Sequence, residues 1–180
     1  MSKALETVRI AVSGKSGCGN STVSRLVADG LSLRFINFTL RNVAAEKRME
    51  LSEVLEAAKT DEYWDREVDG RQVSLARQEG GCVLGSRLAI WLLPEADLKV
   101  YLKARSETRA GRIAKREGGS LEEVAAFTNE RDRQDRERFL QMYRIDNDDY
   151  AFADLIIDTD DIAPPKIAAM IIEKIKAKVC

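Results

Sequence analysis

The chain alternates short apolar runs with longer segments in which apolar residues are three or four positions apart. The apolar runs predict strands at residues 8–12, 35–36, 82–84, 98–102 and 155–157. The helical spacing predicts helices at 21–31, 40–49, 51–59, 63–78, 105–117 and 120–143, and a last one from Pro164. Strands that alternate with helices indicate a parallel sheet covered on both faces. We therefore predict a three-layer α/β fold with a five-stranded parallel sheet, in one domain over residues 1–180.

Local signals support some of these boundaries. Ser120 and Glu123 have the spacing of a capping box, which predicts a helix start. The pair Gly80-Gly81 predicts the end of the preceding helix, because two glycines disfavour helical backbone. Trp64 and Trp91 are expected in the core rather than as platforms for a stacked base.

The turn after the first predicted strand has the composition of a phosphate-binding loop. Its sequence is Gly14-Lys15-Ser16-Gly17-Cys18-Gly19-Asn20-Ser21-Thr22, which nearly matches G-x-x-x-x-G-K-[ST]. Glycines allow several backbone N–H groups to face one polyphosphate, and the following helix adds its free amides and positive dipole end. Ser21 or Thr22 offers a hydroxyl for Mg²⁺. We predict phosphate binding here, although a simple tight turn is the alternative; the dinucleotide pattern G-x-G-x-x-G does not fit.

One position of this loop departs from the pattern. Asn20 stands where the motif has a lysine that offsets phosphate charge, and an amide donates a hydrogen bond but carries no charge. Lys15 lies five residues earlier. We hypothesise that Lys15 compensates, in its own chain or across a dimer.

Two helices carry basic residues at helical spacing. Arg109, Arg112 and Arg116 share one face of the first, and Arg131, Asp135 and Arg138 share one face of the second. Guanidinium groups match phosphate oxygens, and phosphoryl transfer needs positive charge around the moving group. A solvated face with Glu–Arg pairs is the alternative. The position of both helices after the loop favours phosphate chemistry.

Arg87 follows the predicted strand 82–84, and ligands bind at the carboxyl edge of open parallel sheets. A surface arginine at a helix start is an equal alternative for Arg87. Arg41 alone gives a weaker signal. The aspartates at 146, 148 and 149 are expected to form an acidic loop rather than a metal site.

Composition excludes several classes of function. The chain has no histidine, which excludes a histidine base, a Ser-His triad and a His-ligated metal. Three distant cysteines, Cys18, Cys82 and Cys180, argue against a disulfide framework or zinc site and favour a reducing cytoplasm. The net charge of -1 gives no pull toward nucleic acid. The polar segment 1–7 lacks a signal-peptide core, and no apolar run is long enough for a bilayer.

Several separate stretches, in order over nearly the whole chain, resemble the short cytidylate kinases of archaea and some bacteria. They are 65–72 (DREVDGRQ), 83–91 ending Arg87-Leu88-Ala89-Ile90-Trp91, 96–100 (ADLKV), 109–118 including Arg112-Ile113-Ala114-Lys115-Arg116-Glu117-Gly118, and Tyr143-Arg144-Ile145-Asp146. The resemblance implies a P-loop nucleoside-monophosphate kinase fold with nucleotide-binding helices. It also implies a short helical lid at about 109–138, without a zinc knuckle.

The resemblance implies roles for individual residues. Residues 14–22 would bind the donor phosphates, with Arg112 and Arg116 contacting donor adenine and phosphates. Arg131 would close over the transferred phosphoryl group. With the hypothesis for Lys15, the predicted catalytic set is Lys15, Arg116 and Arg131. The acceptor nucleotide would contact Arg41, Asp69, Arg87, Asp135 and Arg138.

The implied reaction moves the γ-phosphoryl of ATP, with Mg²⁺ held partly by Ser21, to CMP or dCMP. The chain is expected to act as a monomer on ATP and a nucleoside monophosphate, without a nucleic-acid polymer or a membrane.

The chain departs from the family at three places: Asn20, the pair Gly85-Ser86 in place of an acidic residue and glycine, and the shortened turn 37–39. These departures leave two alternatives open. The alternatives are a P-loop kinase for another small acceptor and a degenerate nucleotide-binding protein with little turnover.

Overall fold

The computed structural model describes residues 4–179. Five strands form one sheet: β1 (Arg9–Gly14), β2 (Arg34–Ile36), β3 (Cys82–Gly85), β4 (Leu98–Lys103) and β5 (Leu155–Asp158). Their order is β2-β3-β1-β4-β5, and every neighbouring pair is parallel. The predicted α/β fold with a five-stranded parallel sheet is therefore confirmed. Cys180 and the first three residues of the polar segment 1–7 lie outside the described residues.

Residues 4–179 contain eight α-helices, seven of them between strands and the last after β5. They are α1 (Asn20–Leu31), α2 (Leu40–Lys47), α3 (Leu51–Ala57), α4 (Tyr63–Arg77), α5 (Ala89–Leu92), α6 (Ser106–Glu117), α7 (Leu121–Tyr143) and α8 (Pro164–Val179). The Ser120 hydroxyl accepts from the Glu123 amide at the start of α7, so the predicted capping box is present. A 3₁₀ turn at Leu5–Thr7 and the one-turn helix α5 were not predicted.

Some predicted boundaries were wrong by one or two residues. β1 begins at Arg9 and extends to Gly14, because its ladder with β4 pairs Gly14 with Leu102. Helices α2 and α3 each end two residues earlier than predicted, at Lys47 and Ala57. The residue after α2, Arg48, has left-handed backbone (φ 56°), which ends the helix there.

The hydrophobic core lies on both faces of the sheet. One face packs against α1 and α8 through residues such as Val27 and Ile171, and the other face packs against α4 and α5. A third, smaller cluster surrounds Trp64 and joins α2, α3 and α4 beside the sheet. Trp64 is buried as predicted, whereas Trp91 is partly buried at the edge of the second cluster. These layers place the ends of β1, β3 and β4 at one edge that remains open.

Candidate active site

A cleft of about 880 Å³ lies at the carboxyl edge of the sheet. Its wall includes all of residues 14–22 and the predicted residues Arg41, Asp69, Arg87, Arg112, Arg116 and Arg131. Asp135 and Arg138 lie behind this wall, where both are paired with residues of the cleft or with each other. The sheet edge thus brings together residues that are more than one hundred positions apart in the sequence.

The loop between β1 and α1 has the backbone of an anion-binding loop. Gly17 (φ 85°) and Gly19 (φ 97°) have left-handed backbone, which glycine adopts without strain. Gly19 caps α1, and its carbonyl accepts from the Val23 amide at 2.9 Å. The amides of Ser21 and Thr22 in the first turn have no intrahelical acceptor, so they remain for a ligand.

Asn20 is bound to the loop itself. Its Nδ2 donates to the Gly14 carbonyl at 2.7 Å, and its Oδ1 is buried without a hydrogen bond within residues 4–179. A Cβ on Gly14 would lie 2.7 Å from that Oδ1 and 2.4 Å from the Leu102 carbonyl oxygen. Asn20 therefore joins the two ends of the loop, and it supplies no charge to the cleft.

Lys15 brings a cation to the cleft wall. Its Nζ lies 2.6 Å from Oδ1 of Asp148, which belongs to the loop between α7 and β5. Within residues 4–179, no group of three or more acidic or cysteine side chains could hold a metal ion. Asp146 and Asp148 of this loop instead make ion pairs, Asp148 with Lys15 and Asp146 with Arg136.

Two arginines of α6 hold the loop from outside. Arg109 is buried; its Nη1 donates to the Ser16 carbonyl at 3.2 Å and its Nη2 to Asp132 at 2.7 Å. Arg112 donates to the Gly17 carbonyl at 3.2 Å and to the hydroxyl and carbonyl oxygens of Thr159. The Ser16 and Gly17 carbonyls of the loop are thus bound by α6, while the Cys18 amide donates to the Lys15 carbonyl at 3.1 Å.

Arg116 differs from Arg112 although both were predicted to contact the donor. Its side chain is mostly exposed at the rim of the cleft, and Nη2 lies 2.5 Å from Glu117 Oε1. Arg112 contacts protein oxygens, whereas the one ion pair of Arg116 within residues 4–179 is solvent-exposed and therefore weak. Arg116 is thus the one of the pair that can turn toward a ligand at little cost.

Asp135 gathers three arginines. Its side chain is 8 % exposed, and it pairs with Arg87, with Arg138 at 2.8 Å and with Arg131 at 4.0 Å. Arg138 also pairs with Asp65 at 3.3 Å. Burial and the neighbouring charge of Arg87 lower the pKa of Arg131. Guanidinium groups are donors that match phosphate oxygens, so this cluster is chemically suited to a phosphate group.

Asp69 lies on the wall between this cleft and a second cavity of about 660 Å³. Tyr143 donates its hydroxyl to Oδ2 of Asp69 at 2.9 Å. Burial raises the pKa of Asp69 to about 6, against the lowering effect of this hydrogen bond. Burial and the Asp69 charge raise the pKa of Tyr143, so its hydroxyl remains a donor at neutral pH.

Besides Asn20, the chain departs from the family pattern at Gly85 and in the shortened turn 37–39, and the structure gives a reason for both. A Cβ on Gly85 would lie 2.5 Å from Ser24 Oγ and 2.9 Å from Ser24 Cβ, so α1 packs directly on this position. In the turn 37–39, the Phe38 carbonyl accepts from Gln72 at 2.7 Å and Thr39 caps α2. The shortened turn is therefore an ordered wall of the cleft.

Comparisons with known proteins decide the family. The profile of the cytidylate kinase-like family matches residues 9–161. The chain belongs to this family. Cytidylate kinase 2 of Borreliella afzelii is 44 % identical over 172 residues, which is 93 % of this chain and 96 % of the relative. Cytidylate kinase of Pyrococcus horikoshii is 42 % identical over 164 residues, 90 % of this chain and 85 % of the relative.

Solved structures of P-loop kinases share the fold of this cytidylate kinase-like protein. Shikimate kinase from Acinetobacter baumannii in complex with shikimate has a TM-score of 0.65 at 17 % identity, over 95 % of this chain and 94 % of its own. Deoxyadenosine kinase from M. mycoides with bound dATP has a TM-score of 0.58 at 15 % identity, over 94 % and 100 %. The protein is an ATP-dependent kinase of the nucleoside-monophosphate kinase group.

Kinases of this kind use ATP with a divalent cation. The residues of the cleft fit Mg²⁺ in donor type: the exposed hydroxyl of Ser21 is an oxygen ligand in the first turn of α1, beside the loop. Mg²⁺ keeps most of its ligands as water and phosphate oxygens, so one protein hydroxyl is sufficient.

Among residues 4–179, no helix combines the length and apolar character needed to cross a membrane.

The sequence did not reveal several residues of the site. Arg109 was noted only as part of a basic helix face, and Asp132, Thr159 and Asp148 were not assigned. Each contacts a residue far away in the chain, which periodicity within one helix cannot show. Tyr143 belongs to one of the stretches that resemble the family, and that resemblance is the sequence signal for its place beside Asp69.

The contact between the loop and α6 predicts the effect of Gly17→Ala. The new Cβ would lie 2.8 Å from Arg109 Cβ and 2.9 Å from the Arg109 carbonyl, at a φ that disfavours alanine. We expect the KM for ATP to rise at least about tenfold, because the amides would move from their positions around the phosphates. Steady-state kinetics measure this. Gly70→Ala is the control: it has open space in α4 and should raise stability by about 0.5–1 kcal/mol.

The raised pKa of Asp69 predicts that the free energy of unfolding depends on pH. Its pKa is raised from 3.8 to about 6, so the folded protein binds this proton more tightly than the unfolded chain. The contribution of Asp69 to the free energy of unfolding therefore falls as pH rises from about 4 to about 6. Asp69→Asn should remove this fall, as urea denaturation of both proteins across pH 4–8 would show. A constant difference between the two proteins over that interval would contradict the assignment.

Proposed function

We propose that the kinase transfers the γ-phosphoryl group of ATP to CMP or dCMP and forms ADP and the pyrimidine nucleoside diphosphate. The observation that carries the proposal is a single cleft whose wall holds an anion-binding loop together with Arg87 and Arg131, two of the arginines that pair with Asp135. Two phosphate-binding regions in one cleft suit two nucleotides that exchange a phosphoryl group. The name cytidylate kinase of the relatives supports a cytosine nucleotide as the acceptor.

The donor side of the cleft would be residues 14–22. Backbone amides of the loop and of the first turn of α1 would bind the β- and γ-phosphates, with Lys15 and Arg116 as the cations beside them. Arg112 would act from behind the loop, since its donors already bind Gly17 and Thr159. Mg²⁺ at Ser21 would neutralise phosphate charge and fix the donor geometry.

The acceptor side would be built on α2, α4 and α7. Arg41, Arg87 and Arg138 would bind the acceptor phosphate, with Asp135 fixing the last two. The Tyr143 hydroxyl donates to Oδ2 of Asp69, and within residues 4–179 the other oxygen, Oδ1, accepts no hydrogen bond. That oxygen can accept from the amino group of cytosine, whereas the carbonyl group of uracil offers it no donor.

The reaction needs no general base, because the acceptor phosphate is largely a dianion near neutral pH. One of its oxygens attacks the γ-phosphorus in line, the bond to the β-phosphate oxygen breaks, and ADP leaves. Arg131 faces the cleft between the two sides and would stabilise charge on the transferred group. Closure of the lid at about 109–138 would exclude water, which otherwise takes the phosphoryl group. No covalent enzyme intermediate forms.

A panel of acceptors with MgATP tests this proposal. CMP, dCMP, UMP, dUMP, AMP, GMP and shikimate are each offered, and ADP release is measured. We expect CMP or dCMP to give a kcat/KM at least about tenfold above that of any other acceptor. Faster turnover of another acceptor would support a P-loop kinase of different specificity, which the altered turn 37–39 favours.

Asn20 favours a second candidate, a nucleotide-binding protein with little turnover. Its amide binds Gly14 rather than facing the cleft, so the usual lysine charge is absent. Tight ATP binding without ADP release for any acceptor would support that candidate, as would a large gain of activity in Asn20→Lys. If Lys15 compensates, Lys15→Ala costs more activity than Asn20→Ala; the opposite order would count against Lys15.

The proposal includes a monomer in the cytoplasm, without a nucleic-acid or membrane partner. Cys18 is a buried free thiol, which suits a reducing compartment. Light scattering of the purified protein with and without nucleotides would test the monomer, and a dimer would allow Lys15 to act in the neighbouring chain.

A further inference from the structure

The ammonium group of Lys15 and the carboxylate of Asp148 form an ion pair that solvent can reach. The two atoms are 2.6 Å apart, and the side chains are 27 % and 40 % exposed. Lys15 also lines the cleft at the carboxyl edge of the sheet. A soluble anion in the cleft can therefore reach the same ammonium group that Asp148 binds.

The loop that carries Asp148 is fixed from the other side. Arg136 of α7 binds Asp146 through Nε at 2.8 Å and Nη2 at 2.6 Å, and its Nε lies 3.6 Å from Asp148. The hydrogen bonds from Arg136 lower the pKa of Asp146 to about 2, so the loop keeps its charge at neutral pH. The carboxylate of Asp148 is thus held beside Lys15 by a helix that also carries Arg131 and Asp135.

From these contacts we propose that Asp148 acts on donor binding through Lys15, because its carboxylate competes with the donor phosphates for the ammonium group of Lys15. Its carboxylate holds Lys15 Nζ at the cleft wall until phosphate oxygens of the donor replace it. The inference rests on the proposed function, in which Lys15 contacts the donor. Asp148 itself contacts no substrate.

The proposal predicts the direction in which the affinity for MgATP changes when Asp148 loses its charge. Donor binding exchanges one anion for another at Lys15, so the ion pair with Asp148 opposes binding. Asp148→Asn removes the competing charge and keeps the size of the side chain. Because partly exposed ion pairs contribute little, the dissociation constant for MgATP should fall by only about two- to fivefold.

The experiment is calorimetric titration of MgATP into the wild type, Asp148→Asn, Asp149→Asn, Lys15→Ala and the double variant of Lys15 and Asp148. Asp149 is the matched control, because it is an exposed carboxylate of the same loop with no ion pair within the described chain. We expect tighter binding in Asp148→Asn, no change in Asp149→Asn, and no effect of Asp148→Asn once Lys15 is alanine. Added salt should reduce the difference.

Equal or weaker binding in Asp148→Asn would overturn the proposal, and so would an equal gain in the Lys15→Ala background or in Asp149→Asn. If Lys15→Ala binds too weakly to measure, the comparison of Asp148→Asn with Asp149→Asn decides alone. Circular dichroism checks that each variant is folded. A parallel assay of the wild type with CMP separates the two failures: phosphoryl transfer with unchanged binding in Asp148→Asn rejects only the role of Asp148, whereas no transfer rejects the proposed reaction.

Discussion

Arg131→Ala should lower kcat about 10³-fold or more while the protein stays folded. Arg131 lines the cleft, its side chain is 45 % exposed, and its contact with Asp135 is the longest of the three arginine contacts, at 4.0 Å. It is therefore the arginine least used by the fold and most available to the transferred group. Removal of an arginine that stabilises a phosphoryl transition state lowers kcat by about 10³ to 10⁵.

The effect of Arg131→Ala should appear in kcat, with little change in either KM, because the contact forms mainly in the transition state. Arg133→Ala is the control, since Arg133 is on the same helix but exposed and paired with Glu130 and Glu137. Steady-state kinetics with MgATP and CMP measure both variants. A loss in Arg131→Ala that is confined to KM, or equal losses in the two variants, would remove Arg131 from the catalytic set.

Asp135→Asn should have the second large effect, on acceptor binding and on stability together. Asp135 is buried and fixes the guanidinium groups of Arg87 and Arg138, so the substitution removes the buried negative charge that lies between these two cations. We expect the kcat/KM for CMP to fall by about 10²-fold or more, since misplaced binding groups lose this much. Stability should fall by about 2 kcal/mol, less than for a fully buried pair, because the arginines are partly exposed.

The control for Asp135→Asn is Glu137→Gln on the exposed face of α7. Binding of MgATP should change little in Asp135→Asn, because the donor loop is held by Arg109 and Arg112 instead. Calorimetry with each nucleotide and urea denaturation measure these quantities. Unchanged acceptor kinetics in Asp135→Asn would show that the arginine cluster serves the fold rather than the acceptor.

Local patterns in the sequence were sufficient for most of the fold. The central strands β1 and β3 are runs of consecutive buried residues, and the helices that cover the sheet have one apolar face. Helix α5 was missed because it has only four residues, and its neighbours Leu88 and Leu93 are as buried as the helix itself. The spacing of apolar residues along the chain does not change where α5 begins or ends.

The candidate site was predictable only where its signal is local. The loop at 14–22 has its own pattern, and the structure places all of it on the cleft wall. The contacts that orient it come from other parts of the chain: Arg109 and Arg112 from α6, and Asp148 from the loop after α7. Helical spacing put Arg112 and Arg116 on one face, but it could not show that Arg112 turns to Thr159 while Arg116 remains at the rim.

The direct test of the central claim is phosphorus NMR of one mixture that contains the protein, MgATP and CMP. We expect the resonances of CDP and ADP to grow in equal amounts, with no inorganic phosphate, and no ADP to form when CMP is left out. Release of ADP with inorganic phosphate, or an unchanged ATP spectrum although calorimetry shows that ATP binds, would contradict transfer between the loop at 14–22 and an acceptor at the arginines of α7.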